Sequence, residues 1–304
     1  MRKKRKYAWF VTTVLFRLLA RFEYEVLRLS QTEDIEALHQ ARVYIRKLRV
    51  AFSLFAERLS ATDCHSWQKA IISLGKSLRD ARDIDVQIEK LQLFLEQAQT
   101  LSDRAVISAL IDHLRQQRND QQTVIQKAQF RFFKKKPFVK ARYCLQKLLS
   151  QQEESGSLQQ AVDKILDRFS RLIKDQAVIP SMSEEALHDF RKEIRYFRYE
   201  LEILEIYCSE KVFSRAIKEI KVLQEILGNI HDCDVWRSDL SDYLQEEICQ
   251  SDLSSETRQA VISGLIEQQQ AVRAQAFSSL IEQIENMYQS GFWEQLAKTL
   301  LACP

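Results

Sequence analysis

The sequence predicts an all-α fold of two duplicated helical units related by an approximate two-fold axis. Three observations carry this expectation. Only five Gly and three Pro punctuate 304 residues, too few breakers for the many turns of a sandwich or barrel. Leu, Gln, Glu, Arg, Lys and Ala dominate, and all favour helices. The third observation is a repeat. His39-Gln-Ala-Arg-Val-Tyr-Ile-Arg-Lys-Leu-Arg49 aligns with His188-Asp-Phe-Arg-Lys-Glu-Ile-Arg-Tyr-Phe-Arg198 at a shift of 149 positions. The same shift, ungapped, lays Arg82-Asp-Ile-Asp-Val86 on His231-Asp-Cys-Asp-Val235. Two motifs at one offset indicate a tandem duplication rather than a solenoid of short repeats.

Apolar periodicity places first-half helices at about 8–30, 33–59, 63–80, 83–99 and 103–133, then a short one after Pro137. The second half gives helices at about 158–177, 184–208, 211–228, 232–249 and 255–288, then a short one near Phe292. Thr32-Glu33-Asp34 and Ser183-Glu184-Glu185 are helix entries, with hydroxyls and early acids suited to the positive end of a helix. Pro180 marks a break just before the second. The polar run Ser150-Gln-Gln-Glu-Glu-Ser-Gly-Ser157 is the linker, 150–157, between halves at about 8–150 and 157–302. The chain is read as a single domain over 1–304, long enough to bury a sizeable core.

Composition narrows the function. The formal net charge is only +3, so an anion-binding role rests on where charges sit, not on their sum. Cys64, Cys144, Cys208, Cys233, Cys249 and Cys303 form no Cys-x-x-Cys pair and read as reduced thiols of a cytoplasmic protein. A basic run, Arg2 to Lys6, leads into an apolar stretch from Tyr7 to Leu15, superficially like a secretion signal. Arg17, Arg21 and Glu23 interrupt it, no small-residue cleavage site follows, and it is too short to span a bilayer. It reads instead as an amphipathic first helix able to touch an anionic membrane surface.

The repeated motifs carry the chemistry. On a helical wheel Arg42, Arg46 and Arg49 fall within roughly 80° of His39, while Ala41, Ile45, Leu48, Phe52 and Phe55 fall opposite. His188, Arg191, Arg195 and Arg198 repeat the cationic face, with Lys192 added; Phe190, Ile194, Phe197 and Leu201 form the buried side. An ordinary solvated face mixes signs, yet no acid lies between His39 and Ala56. Arg is also the side chain whose planar fork grips phosphate in two places. The second stripe is less pure, since Asp189, Glu193 and Glu202 accompany it. Near phosphates both histidines would be drawn toward their cationic form.

A further basic segment, 121–152, contains Lys127, Arg131, Lys134, Lys135, Lys136, Lys140, Arg142 and Lys147 without an acid until its end is passed. Phe130, Phe132, Phe133 and Phe138 interleave, a pattern that fits single-stranded nucleic acid or, at helical spacing, core packing. The anion surface is therefore expected to be lopsided toward the first half.

Asp83 and Asp232, at the helix junctions, would cap the next helix or hold an Arg. His231, Asp232 and Asp234 are metal-ligand types, but neighbours on a helix diverge by about 100° and do not chelate one ion unaided. No phosphate loop, dinucleotide fingerprint, nucleophile elbow or His-Glu-x-x-His helix occurs in the chain. No catalytic residue, metal ligand or cofactor is assigned, and cations in excess of reactive groups favour binding over catalysis.

With the His-x-x-Arg-x-x-x-Arg-x-x-Arg stripes and the Arg-Asp-x-Asp-Val motif on the page, the chain resembles the CHAD family, the conserved-histidine α-helical domain. The resemblance covers nearly the whole chain through His39–Arg49, Leu78–Val86, His188–Tyr199, Leu223–Val235 and Phe292-Trp293. It implies two antiparallel helical bundles related by a pseudo-two-fold axis with a basic groove between them, binding of inorganic polyphosphate, and recruitment to polyphosphate granules. It implies phosphate contacts at His39, Arg42, Arg46, Arg49, His188, Arg191, Arg195 and Arg198, to which the helical wheel adds Lys192. Arg79, Arg82, Arg131, Lys134 and Lys140 are additional candidate anion contacts. The family often accompanies a triphosphate-tunnel hydrolase; no Glu-x-Glu-x-Lys motif of that enzyme occurs here. One departure stands out: the family usually has Gly where this chain has Arg79, whereas Gly228 keeps it in the second half. Polyphosphate is the expected partner. General polyanion or single-stranded nucleic-acid binding through 121–152 is the alternative, and no membrane span is expected.

Overall fold

The computed structural model describes residues 2–31, 34–60, 65–150, 157–208, 211–245 and 255–303. Thr32, Glu33, Cys64, Cys249 and all but the ends of the 150–157 linker lie outside them. Among the described residues every regular element is helical. The first half holds α1 (Arg2–Gln31), α2 (Ile35–Leu54), α3 (Ala56–Ser60), α4 (His65–Ser77), α5 (Arg79–Gln97), α6 (Leu101–Lys134) and α7 (Pro137–Ser150). The second holds α8 (Leu158–Gln176), α9 (Glu184–Cys208), α10 (Lys211–Gln245), α11 (Ser255–Gln289) and α12 (Phe292–Leu301), with a 3-10 turn at Ile179–Ser181.

Two boundaries differ from expectation. The helix expected at 33–59 breaks at Phe55 into α2 and α3. The two helices expected at 211–228 and 232–249 are one continuous α10. Gly228 is the sole breaker there, and a helix-interior Gly costs only about 1 kcal/mol relative to Ala. Packing of α10 along α9 and α11 offsets that cost. The equivalent first-half junction is interrupted between Ser77 and Arg79.

Helix entry follows local chemistry. Asp34 adopts an extended backbone and its side chain accepts from the amides of Glu36 (2.9 Å) and Ala37 (3.1 Å). Ser183 accepts from Ala186 in the same way at the start of α9. Thus the two stripe-bearing helices each begin at a defined residue, which sets the rotation of the stripe.

Helix α2 is sandwiched between α1 and α9 and also touches α4 and α5. Gly75 explains how closely α4 approaches: a Cβ there would stand 2.9 Å from Cγ2 of Ile45. The main core draws on both halves, from Phe10, Phe22 and Leu48 to Phe197, Leu223 and Leu296. A second core closes the far ends of the long helices, where Leu91, Leu110 and Leu114 meet Trp236, Leu240 and Ile262.

The cysteines do not all match the expectation of reduced thiols. Cys144 is disulfide-bonded. Sγ of Cys208 is 2.8 Å from Sγ of Cys303. That contact is thiol to thiol, with no disulfide between Cys208 and Cys303. No helix among the described residues is long and apolar enough to cross a membrane.

Candidate anion-binding site

The apolar stripes of α2 and α9 are buried at Ala41, Ile45 and Leu48 and at Phe190, Ile194 and Phe197. That burial turns the opposite, cationic faces outward, and because α2 packs on α9 the two faces converge. Arg46 of α2 is close enough to oppose the charge of both Arg191 and Arg195 of α9.

Each half anchors one arginine on a junction aspartate. Arg42 is 3.6 Å from Asp83, and Arg191 is 4.0 Å from Asp232; the two pairs stand at the same 149-residue offset. Both aspartates sit inside helices, α5 and α10, so they hold arginines rather than cap helices. Lys90 also approaches Asp232, at 3.8 Å. Gly228 lies beside the Arg191 guanidinium, which would be in ordinary contact, 4.0 Å, with a Cβ at that position. At the corresponding first-half position Arg79 instead adds its charge beside Arg42. The family departure at Arg79 is thus both a helix break and an extra cation.

Arg195 has no ion-pair partner among the described residues. Burial first, then Arg191 and Arg46, push its guanidinium down to about 10. Arg42 is pushed down to about 10 by burial, with Arg46, Arg79 and Arg82 adding to the shift against the pull of Asp83. Nε of Arg46 is buried without a hydrogen-bond partner. Like charges crowded among half-buried side chains raise the free energy of the site, which a bound anion would relieve.

The acids that blur the second stripe in sequence are tied off in space. Asp189 pairs with Lys192 at 2.8 Å, and Glu193 pairs with Arg168. Glu202 is clamped between Arg198 at 2.6 Å and Lys47 of α2 at 2.8 Å. Arg198 is further engaged by Gln224 at 2.7 Å and lies over the Tyr199 ring. It is less available to a ligand than Arg195. Arg49 is exposed at the outer end of α2.

The histidines are held neutral in the empty site. Burial lowers the His39 pKa first, followed by the charges of Arg82, Arg46 and Arg42. His188 is lowered by burial, then by Lys192 and Arg191. His188 pairs with His231, Nδ1 to Nδ1 at 3.0 Å, a site residue the motif reading missed. Its signal was present: His231 aligns with Arg82, which faces His39. Among the described residues no three His, Cys, Asp or Glu side chains converge as a metal site.

The basic segment 121–152 lies elsewhere, on elements that pack against α1 and α4. Arg131, Lys134 and Lys140 are exposed. Phe132 and Phe138 are core residues packed on Phe22, while Phe130 is exposed. Most of the aromatic interleaving therefore serves the core.

A family model described as the CHAD domain matches residues 13–241. Among solved structures, the chain is similar to the CHAD domain from the plant Ricinus communis, at 21% identity and a TM-score of 0.71, covering 91% of each chain. It is also similar to PptA from Streptomyces chartreusis, at 13% identity and a TM-score of 0.67, covering 91% of this chain and 99% of that one. These likenesses show a shared fold. No curated protein matched the chain. On the family match across most of its length, this chain belongs to the CHAD domain family.

Proposed function

We propose that this chain is a non-catalytic binder of inorganic polyphosphate. The ligand lies along the groove where the α2 and α9 stripes converge. The observation that carries this reading is the clustering of Arg46, Arg191 and Arg195 from both halves, with no carboxylate on Arg195 and a buried, unpartnered Nε on Arg46. Membership of a family of known polyphosphate binders supports it. Arg42, Arg46, Arg191 and Arg195 form the centre of the site, with His39 and His188 beside them. Lys192, Arg49, Arg79 and Arg82 extend it, and Arg198 braces it through Glu202. One duplicated domain over 1–304 fits the common 149-residue offset and a core drawn from both halves; a polyphosphate ligand would place it in the cytoplasm and at polyphosphate granules.

Phosphoryl oxygens would exchange water for bidentate guanidinium contacts, and released counterions would make affinity fall with salt. The test is binding of long-chain polyphosphate to the chain with Arg42, Arg46, Arg191 and Arg195 all replaced by Ala. Loss of binding is expected; unchanged affinity would overturn the site.

A further inference from the structure

Helix α1 has an outward face that neither the core nor the stripe groove uses. Trp9 is 62% exposed, Phe16 55% and Tyr24 56%, and Leu27 is exposed as well. At about 100° per residue these four fall within roughly 80° of one another, a single apolar face down the helix. Arg17 and Arg21 flank it, both exposed, and the five consecutive basic residues Arg2 to Lys6 precede it. The helix has only two acids, Glu23 and Glu25. Glu25 is buried against Arg28, and Glu23 is paired with Arg142 of α7. Beside Arg142, α7 adds exposed Val139 and Tyr143.

We infer that this face docks on an anionic lipid surface, with α1 lying in the plane of the interface. Aromatic side chains favour the headgroup level, where an apolar ring can sink while polar neighbours stay wet. Flanking cations meet the negative surface potential of the lipid. Two other occupants fit less well. Successive rings lie about 10–12 Å apart along the axis, wider than neighbouring bases of a single strand, and Leu27 and Val139 offer no stacking surface. A second copy of the chain would set this cationic face against itself across a two-fold contact, Arg17 and Arg21 included.

The molecule carries its own probe. Trp67, Trp236 and Trp293 are buried, so a vesicle-induced change in tryptophan emission reports on Trp9. Vesicles of phosphatidylcholine with roughly a third phosphatidylglycerol should shift emission to the blue and sediment with the full chain, and pure phosphatidylcholine should do neither. Trp9→Phe should abolish the optical change while keeping sedimentation. Trp9→Ser with Phe16→Ser should lower partitioning about tenfold or more, with polyphosphate binding unchanged. Arg42→Ala with Arg191→Ala should leave vesicle binding intact, which separates this face from the stripe groove. No shift and no sedimentation on anionic vesicles would overturn the proposal. So would vesicle binding lost only in the stripe variant, or a dimer that the serine variant dissociates.

Discussion

Nδ1 of His188 lies 3.0 Å from Nδ1 of His231, with the ring centroids 4.3 Å apart. At that separation one nitrogen donates and the other accepts, so the pair carries a single hydrogen between them. In the first half the corresponding partner of His39 is Arg82, a fixed cation. The two ends of the groove therefore respond differently to pH.

Burial first, then Arg191, His188 and Arg195, push His231 from 6.5 down to about 3. A depressed folded pKa means that the unfolded chain binds more protons than the folded one between those two values. The contribution is fully present above about pH 6.5 and is lost as pH falls toward 3. Thermal melts of the ligand-free chain should fall through this window, and His231→Asn should flatten the fall. Polyphosphate reverses the local field and favours imidazolium. Binding should therefore take up protons and tighten from about pH 8 to pH 6. Calorimetry in buffers of different ionisation enthalpy measures the uptake; none in the wild-type chain would remove the histidines from the site.

Arg46 and Arg195 repel each other in the empty groove and should attract a shared anion in the filled one. Arg46→Gln or Arg195→Gln should weaken polyphosphate binding about tenfold each at low salt, since a charged hydrogen bond contributes about 1.5–3 kcal/mol. Each should also reduce the salt slope by about one contact's worth. The melting temperature of the free protein should stay level or rise, the mark of a binding residue held against stability. A drop in stability with affinity intact would reverse this assignment.

Gly75 lets α4 close on α2, and Ile45 fills the space a side chain would need. Gly75→Ala places Cβ 2.9 Å from Ile45 Cγ2 and should destabilise by about 1–3 kcal/mol through overpacking. Ile45→Ala removes both Cγ2 and Cδ1, so in denaturant unfolding Gly75→Ala should cost less on that background than in the wild-type chain. If the two changes prove additive, the clash is not the cause.

Arg168 holds Glu193 and, at 2.9 Å, the buried Glu200. Burial pushes Glu200 up to about 7 against the pull of Arg168. A raised folded pKa means that the folded chain binds the extra proton, so this group's contribution falls as pH rises from about 4.5 to 7. Arg168→Leu leaves Glu200 without its cation and should destabilise by about 3–5 kcal/mol where the carboxylate is ionised. The loss should be larger at pH 8 than at pH 5, where protonation relieves it. Equal losses at both values would show that packing, not charge, is at stake.

What the sequence determined by itself is what short-range physics controls. Helix-forming composition and the scarcity of Gly and Pro gave an all-helical chain. Caps such as Asp34 and Ser183 set where α2 and α9 begin. Apolar periodicity decided which side of each helix is buried, and so where His39, Arg42 and Arg46 point. The continuity of α10 was not legible, because whether Gly228 breaks a helix depends on the neighbours that support it. Nor was the Cys144 disulfide, since no Cys-x-x-Cys spacing announces it. Tertiary structure alone decided how the charges add. It placed Arg46 against Arg191 and Arg195, paired Asp189 with Lys192 and Glu202 with Arg198 so that Arg191 and Arg195 carry most of the second stripe's charge, and joined His188 to His231. Coulomb energy depends on distance through space, and a linear sequence carries no distances between helices that meet only when the core closes.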